Sequence, residues 1–191
     1  IVGVGCGPGM LTQEAIRIIS RAGLIYGSDR AIALAAQHIP KGCTVKTIDD
    51  FKALHRLPEE AVILSTGDPM LAGLGYLNGE IVPGISSLQI AAARLRIPLA
   101  RIVPVVAHGT GHECGMQAVI EEISRNRIVF LLADPKFDVA ELCRRIRAVR
   151  IGLSMAVCQN LGYPDERIIT GTAENPPFPS GDLYSLMIGD F

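Results

Sequence analysis

The stretch Gly3-Val4-Gly5-Cys6-Gly7-Pro8-Gly9-Met10 sets glycine at alternate positions, overlapping an apolar opening, Ile1 to Gly5, that reads as a strand. Strand, glycine turn, helix is how an α/β nucleotide site begins, and the spacing of the glycines says which nucleotide it would take. A dinucleotide fingerprint needs Gly-x-Gly-x-x-Gly. Counted from Gly3 the sixth position is Pro8, and counted from Gly5 it is Met10, so neither register fits. No Gly-Lys-Ser/Thr follows, which removes the phosphate-binding loop as well. What remains is a turn that lets backbone approach a ligand closely without cradling phosphate, as a nucleoside would require, or a tight turn with no ligand at all.

Two further turns extend the pattern. Ser65 to Gly75, Ser-Thr-Gly-Asp-Pro-Met-Leu-Ala-Gly-Leu-Gly, follows an apolar strand and sets Asp68 at its carboxyl end, between Gly67 and Pro69. In open α/β sheets that end is where ligands bind. Ile81 to Leu95 repeats the arrangement: Pro83-Gly84 turns the chain, and Ser86-Ser87 stands at a helix start, where hydroxyls cap the helix or bind a ligand. Three such turns after parallel strands lie along one edge of the same sheet.

Working outward, Leu11 to Ile19 carries apolar residues at helical spacing with Thr12 as cap, and helices are expected around Arg30 to Gln37 and Ser86 to Arg94. Leu24 to Gly27, Thr44 to Ile48, Ala61 to Ser65 and Glu80 to Pro83 read as strands, and crossovers of this length imply parallel pairing. Around Arg101 to Gly111 a strand-like run ends in a glycine-rich turn, and a domain boundary is expected there, giving an N-terminal domain of 1–107 and a C-terminal domain of 108–191. The second part reads as helix (Met116 to Arg125), strand (Arg127 to Ala133), helix (Val139 to Arg147) and strands at Gly152 to Cys158, Arg167 to Gly171 and Leu183 to Ile188, the last ones antiparallel. The fold class is α/β.

Composition narrows the function. Lysine plus arginine number 18 against 19 aspartate plus glutamate, so no basic field exists to hold a phosphate backbone and nucleic acid is not expected as a partner. No apolar run approaches the roughly 20 residues needed to cross a bilayer and no signal-peptide pattern is present, so a cytoplasmic protein without a membrane partner is expected. The 5 cysteines form no Cys-x-x-Cys pair and read as free thiols. His108, His112, Glu113 and Cys114 invite a metal reading, but Gly109 and Gly111 separate the histidines and the spacing does not match a structural zinc site, so no metal is expected.

In combination, Gly5-Cys6-Gly7-Pro8-Gly9, then Gly67-Asp68-Pro69 followed by Gly73, then Pro83-Gly84-Ile85-Ser86-Ser87 resemble the tetrapyrrole (corrin and porphyrin) methylases, which use S-adenosylmethionine. The resemblance covers nearly all of the chain. Within the family, Ile81 to Leu95, Ala107-His108-Gly109 and above all Cys158 to Thr172, with its Asn-Leu-Gly-Tyr-Pro-Asp-Glu-Arg-Ile string, are similar to the branch that methylates carbon 5 of cobalt-precorrin-7 in cobalamin synthesis. One departure is plain: Met10 alone separates Gly9 from Leu11, where members commonly insert Asp-Pro and another residue.

The resemblance implies two α/β domains, the first with a mainly parallel and the second with a mixed sheet, S-adenosylmethionine folded into the cleft between them with S-adenosylhomocysteine as product, and a homodimer. It implies that Pro8, Gly67, Asp68, Leu71, Ser86 and Ser87 contact the cofactor, and that Leu132, Ala156 and Leu183 are neighbours of its adenine. Methyl transfer from a sulfonium to carbon needs no protonated leaving group, so no catalytic triad is expected; a proton must still leave, and His108 and Ser86 are the candidates for the substrate edge. Arg94, Arg96, Arg101 and Lys136 are available to a polycarboxylate substrate or are plain surface charges. The chain leaves no room for a carbon 15 domain, so a separate methyltransferase and decarboxylase partner is expected for that step. The alternatives are the same fold acting on a modified protein histidine or RNA, or a non-catalytic cofactor-binding subunit.

Overall fold

The computed structural model describes residues 1–191, the side chain of Thr110 excepted. Contacts divide the chain into two units, Ile1–Ser87 and Leu88–Phe191.

The first unit carries β1 (Val2–Gly3), α1 (Gln13–Ile19), β2 (Leu24–Gly27), α2 (Asp29–Ala35), β3 (Thr44–Thr47) and β4 (Val62–Ser65). The strands form an all-parallel sheet in the order β1-β4-β2-β3. Its helices start where the sequence supplies a cap: Thr12 Oγ1 accepts from the Ala15 N–H at 3.1 Å and Ser28 Oγ from the Ala31 N–H at 3.3 Å. The strand expected over 80–83 is reduced to a single bridge, Val82 beside Val2, because the Gly84 N–H that would carry the ladder on donates to Asp68 Oδ2 at 3.0 Å instead. That bridge sets Val82 against β1, which places the turns after Val82, β1 and β4 side by side at the carboxyl edge.

The second unit follows α3 (Ser87–Leu95) with β5 (Ile102–Ala107), α4 (His112–Ser124), β6 (Ile128–Ala133), α5 (Val139–Val149), β7 (Ser154–Gln159), β8 (Arg167–Thr172) and β9 (Tyr184–Gly189). The sheet runs β5-β6-β9-β7-β8, with β5 parallel to β6 and every other pair antiparallel. β5 pairs with β6 along its whole length, from Ile102–Ile128 to Ala107–Ala133. A boundary at 107/108 would cut this pair, and the contacts divide the chain earlier, between Ser87 and Leu88.

β6, β9 and β7 are the interior strands, and their near-continuous apolar runs follow from being covered on both faces. Val129, Leu131, Ala133, Met155, Val157, Leu186 and Ile188 alternate into one core with Met116, Val119 and Ile123 of α4 and Leu142, Cys143 and Ile146 of α5. Each fully buried Leu or Ile there stabilises the unit by roughly 1.5–3 kcal/mol. Asp138 caps α5 by accepting from the Glu141 N–H at 2.9 Å.

Candidate functional site

At the carboxyl edge of the first sheet the backbone itself builds the site. The Gly5 N–H donates to Gly67 O at 3.2 Å and the Gly67 N–H to Gly5 O at 2.8 Å, joining the turn after β1 to the turn after β4. The Gly3 N–H donates to Val82 O at 2.9 Å and the Cys6 N–H to Ile85 O at 3.0 Å, joining the first turn to the third. Glycine is required for this approach: a Cβ on Gly3 would meet Gly84 N at 2.6 Å and Gly67 O at 2.9 Å. Gly67 also holds a left-handed φ of 70°.

Asp68 locks the junction. Its Oδ1 accepts from the Met70 N–H at 2.8 Å, closing its own turn, and its Oδ2 accepts from the Gly84 N–H at 3.0 Å, tying the second turn to the third. The Asp68 carboxylate thus meets two backbone donors inside the protein. Ser65 Oγ supports the same loop by accepting from the Leu74 N–H at 3.3 Å. Around the junction Pro8 and Gly9 are exposed, Leu71 and Ser87 half-buried, and Ser86 buried. Apart from Asp68, Gly3–Met10, Gly67–Gly75 and Pro83–Ser87 contain no charged residue, so the turns themselves offer neutral backbone and hydroxyl groups, and Arg30 of α2 stands beside the second of them, donating to Thr66 Oγ1 at 3.2 Å.

A cavity of about 890 Å³ in the same unit, lined by Phe51, His55, Val62, Tyr76 and Val82 among others, is reached by none of these three turns.

In the second unit, register groups the three residues carried over as adenine neighbours. Leu132 of β6 stands opposite Ser185 of β9, Ser185 stands opposite Cys158 of β7, and Ala156 stands opposite Met187. Alternation puts this row on the sheet face away from the α4 and α5 core, with Leu183 preceding it along β9. Ser185 Oγ in its midst is buried without a hydrogen-bond partner among the described residues. Sequence reasoning passed over Ser185, whose only signal was a serine inside an apolar strand.

The parallel pair β5 and β6 ends in a second polar cluster that sequence reasoning also missed. Asp134 follows β6; its Oδ1 accepts from the Lys136 N–H at 2.9 Å and its Oδ2 from the Gly109 N–H at 2.7 Å. His112, the first residue of α4, meets the same Oδ2 through Nε2 at 2.8 Å, and its ring packs edge-on against Phe137 at 5.4 Å. Tyr184 donates its hydroxyl to Asp134 O at 3.2 Å. Donation first from His112 and then from the Gly109 N–H holds the Asp134 carboxyl at about 2, well below its ordinary 3.8. The signal was present as Asp-Pro directly behind an apolar strand, the pattern already seen in Gly67-Asp68-Pro69.

The remaining candidates are dispersed. His108 is exposed and its ring holds no hydrogen-bond partner among the described residues. Glu113 pairs with Arg145 at 2.6 Å, His112 with Asp134, and Cys114 is exposed, so the residues weighed as a metal site point to different partners. Arg94 is held by Glu166 at 2.6 Å, and Arg101 donates to Asp190 O at 3.2 Å. Arg96 and Lys136 are exposed. The Asn160 to Arg167 loop is tied by its own side chains: Asn160 Nδ2 donates to Asp165 at 2.6 Å and the Gly162 N–H to Glu166 at 2.7 Å.

A parallel sheet whose carboxyl edge is built from glycine backbone, followed by a mixed five-stranded sheet, is the framework of an α/β enzyme with its ligands at the strand ends. The sequence profile of the Tetrapyrrole (Corrin/Porphyrin) Methylases matches residues 1–177, and the chain belongs to this family of methyltransferases, whose members in general use S-adenosylmethionine. It is 32% identical to a probable cobalt-precorrin-7 C(5)-methyltransferase of Methanocaldococcus jannaschii over 86% of this chain and 85% of that one. It is 27% identical to a decarboxylating precorrin-6Y C(5,15)-methyltransferase of a Sinorhizobium species, over 91% of this chain and 44% of that protein. The crystal structure of a cobalamin-biosynthesis precorrin-6Y methylase from Archaeoglobus fulgidus superposes with a TM-score of 0.76 at 29% identity, covering 98% of this chain and 95% of that one. No helix among the described residues is long and apolar enough to cross a membrane.

Proposed function

We propose that the protein transfers a methyl group from S-adenosylmethionine to carbon 5 of a cobalt-precorrin. The observation that carries the substrate is the likeness to the Methanocaldococcus jannaschii C(5)-methyltransferase over most of both chains. The residues fit the cofactor: three turns that offer neutral backbone and hydroxyl groups suit a nucleoside without phosphates, and the buried Ser185 hydroxyl lies in the row of Leu132 and Ala156. In this reading Pro8, Gly67, Leu71, Ser86 and Ser87 hold the methionine and ribose parts. Leu132, Ala156 and Leu183 flank the adenine. Asp68 acts one step back, by holding the Met70 and Gly84 N–H groups in place.

When bound, S-adenosylmethionine supplies the methyl group on a sulfonium, a leaving group that needs no acid. The chain's task is then to hold the accepting carbon in line and to exclude water, and such positioning alone is worth about 7–11 kcal/mol of barrier. A backbone-built junction suits that task because its donors are fixed before the ligand arrives.

The reading extends to a homodimer and to a separate polypeptide for methylation and decarboxylation at carbon 15. The test is calorimetric titration with S-adenosylhomocysteine, followed by turnover of cobalt-precorrin-7 read by mass spectrometry. One-site binding and a product heavier by one methyl group support the proposal. Folded protein that binds nothing at millimolar ligand overturns it, and methylation of a modified histidine on a protein instead of the corrin replaces the acceptor.

A further inference from the structure

From the pair at the ends of β5 and β6 we infer that His112 is the acceptor of the proton that leaves the methylated ring carbon, and that Asp134 positions it. The inference rests on the methyl-transfer reading above and adds to it the group that reading leaves unnamed.

The geometry decides which nitrogen is basic. Asp134 is ionised, so its Oδ2 only accepts, and the 2.8 Å contact requires His112 Nε2 to carry a hydrogen. In the neutral ring Nδ1 is then the unprotonated nitrogen, and it holds no hydrogen-bond partner among the described residues. The ring cannot turn freely, because Phe137 packs edge-on against it. Asp134 in turn is fixed by the Gly109 and Lys136 N–H groups. A base held in one tautomer by an ionised, immobilised carboxylate is the arrangement that general-base catalysis uses. Both side chains remain open to a ligand, with 26% of His112 and 22% of Asp134 exposed. His108 shows none of this orientation.

The step balances as follows. The π electron pair of the ring carbon forms the new bond to the methyl carbon while the bond to sulfur breaks and its pair stays on sulfur. The C–H bond at the same ring carbon then breaks, its pair returns to the macrocycle, and the proton goes to His112 Nδ1. The imidazolium is stabilised by Asp134 and releases the proton to solvent. The charged and titratable groups gathered around the ring are Asp134 and Lys136 on the turn after β6, Glu113 on α4 with its partner Arg145 on α5, and Tyr184 of β9 through the Asp134 carbonyl.

His112→Gln separates this role from a structural one, because the glutamine amide can keep the contact to Asp134 while removing the base. The expected result is a kcat lower by about 10²–10⁴-fold, with KM for both substrates and the melting temperature unchanged. The wild-type kcat should rise with pH and His112→Gln should lose that rise, and imidazole should restore turnover to His112→Ala. Independently of turnover, nitrogen NMR of the free protein should show His112 with Nε2 protonated and Nδ1 bare, and Asp134→Leu should mix the tautomers. His112→Gln with wild-type kcat, or a His112 protonated on Nδ1, overturns the assignment while leaving the methyltransferase reading intact. A wild-type protein inert on the corrin overturns both.

Discussion

The molecule makes the same turn twice. After β4, Asp68-Pro69 accepts from its own second-following N–H at 2.8 Å and from a glycine N–H of an adjacent turn at 3.0 Å; after β6, Asp134-Pro135 does so at 2.9 and 2.7 Å. In each the carboxylate ties two neighbouring loops at the carboxyl ends of parallel strands. The difference is what else arrives: at Asp68 only backbone, at Asp134 the imidazole of His112. The first turn is equipped to position and the second to exchange a proton. A methyl transfer with an aprotic leaving group needs mostly the first function, and the second at a single step.

The sharpest way to break the first turn is Gly84→Ala. The added Cβ would lie 2.9 Å from the Gly3 carbonyl carbon and against Gly67 O, all of it backbone that cannot swing aside. A stability loss of about 1–3 kcal/mol in denaturant is expected, together with loss of S-adenosylhomocysteine binding by calorimetry. Asp68→Ala should come next: the Gly84 and Met70 N–H groups lose their acceptor, at a cost of about 1–3 kcal/mol. Binding should weaken by about tenfold. Binding abolished at unchanged stability would instead place the Asp68 carboxylate on the ligand itself.

The contrast also marks what could be read in advance. Periodicity and caps located nearly every helix and strand, and Thr12 caps α1 as its position promised. The three glycine turns were legible because close backbone approach leaves a compositional mark, glycine and proline at fixed offsets. The internal partners of Asp68 were not, since an acidic residue at a strand end looks the same whether or not it meets a neighbouring N–H. The His112–Asp134 pair stayed hidden for another reason. Its members are separated by the rest of α4 and the whole of β6, and only the parallel pairing of β5 with β6 brings their loops together. The division of the contacts between Ser87 and Leu88 was hidden for the same reason, because a strand's partner is not written in its own residues.

Asp134→Asn sharpens the second turn and should act more mildly on the fold than Asp68→Ala. The carboxyl of Asp134 titrates at about 2 in the folded protein against 3.8 ordinarily, held down first by His112 and then by the Gly109 N–H. A lowered folded value means stability that is fully present above 3.8 and lost as the pH falls through about 2. The wild type should therefore exceed Asp134→Asn in urea midpoint near neutrality, and the gap should close across that acid window. A gap of constant size from neutral to acid pH would mean that the aspartate's charge is not what holds the two loops.

The smallest effect is expected outside both turns, at Arg94. Its guanidinium donates to Glu166 at 2.6 Å, but the arginine side chain is 51% exposed, and an ion pair in that setting is worth about 0–1 kcal/mol and weakens with salt. The other oxygen of Glu166 accepts from the Gly162 N–H at 2.7 Å, so the 160–167 loop keeps a backbone tie when the arginine is gone. Arg94→Ala should accordingly shift the urea midpoint barely, and less at 0.5 M salt than at low salt. A cation already committed to Glu166 also has little left to offer a substrate carboxylate, so KM for the corrin should stay unchanged. A KM raised tenfold at unchanged stability would move Arg94 from the fold's ties to the substrate's, and would give the second unit a binding cation to set beside the base.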